Sequence, residues 1–156
     1  MEKTLIILKP DTLQRGLTGR IITRFEEKGF QILAMKMMQV PRELAEKHYA
    51  VHKEKPFYPR LVSYITSSPV LVMVLQAVNA IAVSRKMMGA TFGSKAEPGT
   101  IRGDFGLSNS FNLIHGSDSP EAAAFEMGLY FKSDELLRFD RAGEKWIYDM
   151  SAADPE

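Results

Sequence analysis

Residues 110–131, SFNLIHGSDSPEAAAFEMGLYF, place a histidine, a serine and a carboxylate at a spacing that permits acid–base or nucleophilic chemistry. Ser119 and Pro120 predict the start of a helix, because serine caps helices and proline favours their first turn. The helical period then predicts a core-facing stripe formed by Ala122, Phe125, Glu126 and Leu129. A carboxylate among apolar neighbours needs a hydrogen-bond partner, and the turn returns His115 and Ser117 toward Glu126. We therefore predict a His–Glu or His–Ser–Glu relay.

The predicted relay gives His115 a possible chemical role. A carboxylate bonded to one imidazole nitrogen would fix the tautomer of His115 and leave its other nitrogen free. That nitrogen could act as a base, a metal ligand or a nucleophile. The residues alone leave a second interpretation open, in which His115 is a structural histidine at the end of a strand.

Three cationic side chains lie at the ends of predicted elements or in a glycine-rich loop: Lys9, Arg85 and Arg102. Arginine binds phosphate through two parallel hydrogen bonds, and lysine binds it as a point charge. Taken singly, each of these residues is common on protein surfaces. A phosphate site therefore requires that the fold bring the three together.

Other familiar sites are excluded by their motifs. Residues 89–95, GATFGSK, are one residue short of a P-loop and reverse its final lysine and serine. His48 and His52 have the i, i+4 spacing of a zinc helix, but Tyr49 replaces the glutamate of that motif, so we expect a helix surface. The absence of cysteine excludes disulfides, thiolate metal sites and a cysteine nucleophile.

The elements that must position these residues alternate between strands and helices. Apolar runs predict strands at residues 4–8, 30–40, 69–75 and 111–114. Helices are predicted to end at Gly29, to open at Pro41 and carry both His48 and His52, to cover residues 57–65, to run from Asn79 to near Gly89, and to start at Ser119. Residues 89–106 hold five glycines and predict one long loop. This order predicts a single α/β domain over residues 1–156, with one sheet covered by helices.

Composition limits the class of protein. The 156 residues carry a net charge of +1, without the broad basic field of nonspecific nucleic-acid binders, so we expect no obligatory nucleic-acid partner. The first apolar run is too short for a signal-peptide core or a membrane span, so we expect no membrane partner. The lack of cysteine suits a reducing compartment, and we expect the cytoplasm.

Five segments together carry a resemblance to a known family. They are TLIILKPD at 4–11, RGLTGRIITRFEEKGF at 15–30, HYAVHKEKPFYPRLV at 48–62, PGTIRGDF at 98–105 and NLIHGSDS at 112–119. Through these segments the chain closely resembles the nucleoside diphosphate kinases over almost its whole length. The combination of PGTIRGD with NxxHGSD is specific to that family, and it favours the catalytic interpretation of His115 over the structural one.

The resemblance implies a fold, a reaction and a set of site residues. The fold is an α/β (α+β) ferredoxin-like sandwich, in which helices cover a four-stranded antiparallel sheet. In the implied ping-pong reaction a nucleoside triphosphate with Mg²⁺ phosphorylates His115, and a nucleoside diphosphate then collects the group, with little selectivity for the base. The implied catalytic set is His115, Glu126, Ser117 and Lys9. The implied nucleotide-binding set is Lys9, Tyr49, Phe57 stacked on the base, Arg85, Thr91, Arg102 and Asn112, with Asp118 near the metal through water.

The resemblance also implies an assembly. It favours a homo-hexamer over a tetramer, with residues 145–149 packed against a neighbouring subunit. Gly93 departs from the family pattern, where proline is common, and we expect a Gly93→Pro variant to be more heat-stable because proline restricts the unfolded chain. Two other functions stay open, namely a non-catalytic binding scaffold on the same fold and hydrolysis of a phosphohistidine.

Overall fold

The computed structural model describes residues 1–149 and 151 of the chain. Four strands form one sheet in the order β2-β3-β1-β4, and every neighbouring pair is antiparallel. Their bounds are β1 Glu2–Leu8, β2 Gln31–Met38, β3 Val70–Ala77 and β4 Ile114–Gly116. The expected ferredoxin-like, four-stranded antiparallel sheet is therefore confirmed.

Helices cover both faces of this sheet. In the described part of the chain they are α1 Pro10–Gln14, α2 Thr18–Glu27, α3 Arg42–His48, α4 Tyr58–Ile65, α5 Ala80–Met88, α6 Ile101–Phe105 and α7 Pro120–Tyr130. Ile6 and Leu8 of β1 pack in one core cluster with α2 and α5, whereas Leu5 and Ile7 pack in a second cluster with α3, α4 and α7. Burial of both faces explains why β1 is apolar without alternation.

Local sequence explains where several helices begin and end. Gly29 follows α2 with φ +99, and a Cβ at this position would lie 2.7 Å from the Ile147 side chain. Ser119 caps α7, since its hydroxyl accepts a hydrogen bond from the Ala122 N–H at 3.1 Å. Both predicted boundaries are confirmed. No helix in residues 1–149 and 151 combines the length and apolar character needed to cross a bilayer.

Residues 89–106 are more ordered than the predicted long loop. They contain a 3₁₀ turn at Gly93–Lys95 and the helix α6. Thr100 starts α6, because its hydroxyl accepts from the Gly103 N–H at 3.0 Å and donates to the Glu97 carbonyl at 2.6 Å. The loop prediction was wrong here because five helical residues are too few to show an apolar period.

The strand and helix around the predicted relay are shifted relative to the sequence interpretation. β4 covers Ile114–Gly116 rather than residues 111–114, so His115 lies within the strand. The positive φ of +70 at Leu113 breaks the extended backbone before it. On α7 the buried residues are Ala123, Glu126 and Tyr130. The predicted stripe was therefore right for Glu126 and wrong for Phe125, which is 55% exposed.

The two histidines of the rejected zinc pair do not share a helix. α3 ends at His48, and His52 belongs to a separate 3₁₀ turn, Ala50–His52. His48 is buried, so the expectation of a helix surface was wrong for this residue.

Gly93 is constrained by packing rather than by chain flexibility. A Cβ at Gly93 would lie 2.2 Å from the carbonyl oxygen of Gly106, which is backbone and cannot rotate away. This contact argues against the expected stabilisation by Gly93→Pro, because the new ring would have to displace that backbone.

Candidate active site

The site forms where the end of β1 meets β4. Ile7 of β1 pairs with His115 of β4. Lys9 follows β1 in an extended conformation, with φ −75 and ψ 168, because Pro10 begins α1 directly after it. The Lys9 N–H donates to the Leu113 carbonyl at 2.8 Å, which joins the end of β1 to the residue just before β4.

His115, Glu126 and Ser117 form a hydrogen-bonded group. The Nε2 atom of His115 lies 3.0 Å from Oε1 of Glu126. Ser117 Oγ donates to the other carboxylate oxygen at 2.6 Å, and it accepts from the Leu5 N–H at 3.2 Å. The geometry of the predicted His–Ser–Glu relay is present. The relay uses Nε2, so Nδ1 is the nitrogen of His115 left for chemistry.

Two opposing effects set the charge of Glu126. Burial alone would raise its pKa, but the hydrogen bonds from His115 and Ser117 outweigh burial and hold the pKa below its usual range. An ionised Glu126 requires a donor, so His115 carries its proton on Nε2. This tautomer leaves a lone pair on Nδ1.

His48 is a site residue that the sequence interpretation missed. Its ring centroid lies 4.7 Å from that of His115 at an interplanar angle of 75°, and its Nε2 atom lies 3.9 Å from Glu126 Oε1. Burial, and then the proximity of His115, lowers the pKa of His48 to about 3, so the ring is neutral. It therefore limits rotation of His115 without adding charge. Its i+3 spacing from the buried Ala45 was the available sequence signal.

Lys9 and Asn112 form a polar pair beside the relay. Lys9 Nζ donates to Asn112 Oδ1 at 2.7 Å, and Asn112 Nδ2 donates to the Thr91 carbonyl at 3.0 Å. Burial, followed by the positive charge of Arg102, lowers the pKa of Lys9 to about 8. The amine is mostly charged at neutral pH and has little solvent to compete with a phosphate for it.

Arg102 and Arg85 bring two more positive charges to β4. The buried Arg102 guanidinium donates to three backbone carbonyls, those of Gly89 at 3.0 Å, Asn112 at 3.1 Å and Ile114 at 2.6 Å. Arg85 Nη1 lies 3.4 Å from the Gly116 carbonyl. Burial, and then Arg85, lowers the pKa of Arg102 to about 10, so it stays charged at neutral pH. The three predicted cations therefore do converge.

The remaining predicted residues surround this centre less closely. Tyr49 is buried, with its ring centroid 4.5 Å from that of His48. Phe57 stands exposed before α4, where its ring neighbour is His52 at 5.6 Å. Thr91 is exposed after α5, and Asp118 is exposed between β4 and α7. Tyr49 thus packs against His48 behind the relay, whereas Phe57, Thr91 and Asp118 are exposed.

Two sets of side chains could face a metal ion. Ligand atoms of His48, His115 and Glu126 all lie within 4.8 Å of one another, but this nitrogen-rich set suits zinc rather than magnesium. Magnesium prefers oxygen ligands, water and nucleotide phosphates. The exposed carboxylate of Asp118, on the segment that follows His115, fits that preference.

The sequence model of the family described as nucleoside diphosphate kinase matches residues 2–136. The chain belongs to the nucleoside diphosphate kinase family. A nucleoside diphosphate kinase of Carboxydothermus hydrogenoformans is 54% identical over 149 residues, which cover 96% of this chain and 100% of that protein. One from Archaeoglobus fulgidus is 53% identical, with 96% and 99% covered. The function is accordingly that of a nucleoside diphosphate kinase, a nucleotide-binding transferase.

The fold agrees with solved nucleoside diphosphate kinases. The structure of a halophilic nucleoside diphosphate kinase from Halobacterium salinarum in complex with CDP has a TM-score of 0.92 and 48% identity, covering 94% of this chain and 98% of that one. A family protein from Babesia bovis has a TM-score of 0.91 at 41% identity. The substrates of this enzyme are nucleotides, and nucleotide kinases use a divalent cation with them.

Proposed function

We propose that the enzyme works by a ping-pong mechanism in which His115 Nδ1 carries the phosphoryl group. The observation that supports this proposal is the hydrogen bond between His115 Nε2 and Glu126 at 3.0 Å, which leaves the Nδ1 lone pair free. That lone pair attacks the γ-phosphorus of a nucleoside triphosphate in line with the leaving oxygen. The bond from the γ-phosphorus to the bridging oxygen breaks, and the nucleoside diphosphate leaves. A second nucleoside diphosphate reverses these steps.

Glu126 and its partners stabilise the phosphorylated ring. When Nδ1 bonds to phosphorus, the imidazole retains its Nε2 proton and gains positive charge. The Nε2–H of His115 donates a hydrogen bond to the ionised Glu126 carboxylate, and the Ser117 hydroxyl holds that carboxylate in place. Since these groups are already oriented, the reaction requires little rearrangement.

The cationic side chains hold the phosphates. Lys9, Arg85 and Arg102 offset the charge on the transferring group, with Arg102 anchored by three carbonyls. The proposed nucleotide-binding set comprises Lys9, Tyr49, Phe57, Arg85, Thr91, Arg102 and Asn112. Nucleotide phosphates would bind Mg²⁺ with help from Asp118 through water, and the ion would supply further charge neutralisation.

Base binding is proposed to be permissive. Phe57 exposes about half of its side chain, 51%, and offers a flat surface on which any base can stack. The Halobacterium relative was solved with CDP, a pyrimidine nucleotide. We expect both purine and pyrimidine nucleotides to use the same surface.

Three further expectations belong to the proposal. We propose one domain over residues 1–156, a cytoplasmic location, and a homo-oligomer in which a hexamer is favoured over a tetramer. Large apolar side chains on the isolated chain support an assembly, notably Leu107, which is 86% exposed, and Trp146, which is 83% exposed. Trp146 lies in residues 145–149, the segment expected to contact a neighbour. Native mass spectrometry of the full chain measures the subunit number.

The mechanism is tested by intact mass. The wild-type protein is mixed with ATP and Mg²⁺, its intact mass is measured by mass spectrometry, and dTDP is then added. We expect one acid-labile phosphoryl group that disappears as dTTP forms. His115→Ala should gain none, whereas His52→Ala, the matched histidine outside the relay, should still be phosphorylated.

Other outcomes identify the competing functions. A wild-type protein that gains no phosphoryl group and makes no dTTP would indicate a binding scaffold. A phosphorylated protein that releases inorganic phosphate faster than it makes dTTP would indicate a hydrolase.

A further inference from the structure

The backbone immediately before β4 has an unusual conformation. Leu113 has φ +70, and among the described residues the only other non-glycine residue with positive φ is Asn79. Asparagine tolerates this region, whereas leucine does not. The Ile114 N–H donates to the Asn112 carbonyl at 2.8 Å and closes a three-residue γ-turn around Leu113. A γ-turn with positive φ at its centre is rare and strained.

One short segment, residues 9–12, holds the Leu113 peptide from both sides. The Leu113 carbonyl accepts from the Lys9 N–H at 2.8 Å and from the buried Thr12 hydroxyl at 2.6 Å. The Leu113 N–H donates to Asp11 Oδ2 at 3.1 Å. The other oxygen of Asp11 accepts from the Tyr64 hydroxyl, which fixes the carboxylate. A strained conformation persists only where its surroundings determine it in this way.

The turn lies between the phosphate-binding side chains and the nucleophile. Asn112, its first residue, holds Lys9 Nζ. Arg102 donates to the carbonyls of both Asn112 and Ile114, which flank its centre. His115 follows Ile114 directly. A change of the turn would therefore move the phosphate donors relative to His115.

We propose that Thr12 and Asp11 are positioning residues for phosphoryl transfer, which act by holding the Leu113 γ-turn that sets His115 against the phosphates. This inference rests on the proposed role of His115 as the phosphorylated residue. Neither Thr12 nor Asp11 needs to touch the nucleotide. Their contribution belongs to the transfer step, because misplacing reacting atoms slows transfer more than it weakens binding.

Thr12 offers a pair of variants that isolates one hydrogen bond. Thr12→Val keeps the shape of the side chain and removes the hydroxyl, and Thr12→Ser keeps the hydroxyl. The single-turnover rate of His115 phosphorylation is measured at saturating ATP and Mg²⁺, together with ADP affinity and the thermal midpoint. We expect Thr12→Val to lower the saturating rate about tenfold or more, to change ADP affinity less than threefold, and Thr12→Ser to restore most of the rate.

Asp11 supplies a second, independent pair should Thr12→Val fail to fold. Asp11→Ala removes the acceptor of the Leu113 N–H. Tyr64→Phe removes only the other partner of the same carboxylate. We expect the saturating rate of Asp11→Ala to fall at least fivefold further than that of Tyr64→Phe.

The outcomes separate this inference from the mechanism on which it rests. If the wild-type protein gains no phosphoryl group, both fail. If it is phosphorylated but Thr12→Val keeps a rate within twofold of the wild type with only a lower thermal midpoint, the contact is merely structural and the positioning role is overturned. Equal losses in Thr12→Val and Thr12→Ser, or in Asp11→Ala and Tyr64→Phe, overturn it as well.

Discussion

The proposed phosphate side and the proposed base side of the site are built differently. Lys9, Arg102 and Asn112 are buried and already hydrogen-bonded to protein groups. Phe57 is half-exposed, and its ring neighbour in the described chain is His52. Phosphoryl transfer requires fixed atoms around one phosphorus, whereas a stacked base requires only a surface. On the proposed assignment, the enzyme would fix the part of the substrate that all nucleotides share and hold the variable part loosely.

Arg102→Met should give the largest effect and test whether the phosphate side is built by Arg102. The variant loses a phosphate donor and takes one hydrogen-bond donor from each of three backbone carbonyls, two of them in buried bonds. We expect the saturating rate to fall about 1,000-fold and the free energy of unfolding to fall by about 3 kcal/mol. Single-turnover kinetics measure the rate, and denaturant unfolding measures the free energy of unfolding. Arg85→Met, the more exposed arginine, should lose activity but keep most of the stability. If Arg102→Met and the wild type had equal free energies of unfolding, Arg102 would not be part of a fixed phosphate side.

The pH dependence of nucleotide binding should give an intermediate effect. Burial lowers the pKa of Lys9 from 10.5 to about 8, so its charge is lost at a lower pH than that of an ordinary lysine. If the charged amine binds phosphate, the KM for the nucleotide should rise about tenfold between pH 7 and pH 9. Lys9→Arg should flatten that rise, because arginine stays charged. A wild-type KM that is constant up to pH 9.5 would contradict the role of Lys9.

Phe57→Ala should give the smallest effect. It tests whether the base side is a stacking surface that accepts any base. Loss of stacking should cost on the order of 1 kcal/mol, or about fivefold in KM, with similar values for purine and pyrimidine nucleotides. The saturating rate should change less than twofold, since Phe57 takes no part in the hydrogen bonds of the relay. Phe57→Trp, which keeps an aromatic face, is the matched control. A loss confined to one base would show that the surface is selective after all.

The sequence predicted best what is local. His115, Ser117 and Glu126 lie within one strand, turn and helix, so their spacing alone brings them together. The alternation of strands and helices likewise predicted the elements on which these residues lie. The antiparallel topology and the convergence of Lys9 with Arg102 were implied only by the family resemblance, because no spacing rule connects residues so far apart.

The errors have separate physical causes. β4 was placed too early because an apolar run does not reveal the positive φ of Leu113. His48 was assigned to a surface because its pairing with His52 was tested only as a zinc motif. Phe125 was assigned to the core although the buried stripe of α7 is Ala123, Glu126 and Tyr130. In each case tertiary contacts overrode the local pattern.

The central place of β1 in the sheet has a consequence for protein synthesis. β1 is made before β4, the strand with which one of its edges pairs, and Lys9 and Thr12 bond to residues 103 and 101 positions later. Until those residues leave the ribosome, that edge exposes unpaired backbone groups, which invite pairing with other chains. A nascent chain therefore cannot complete the relay, and keeps that edge open to wrong pairing, until β4 has been translated.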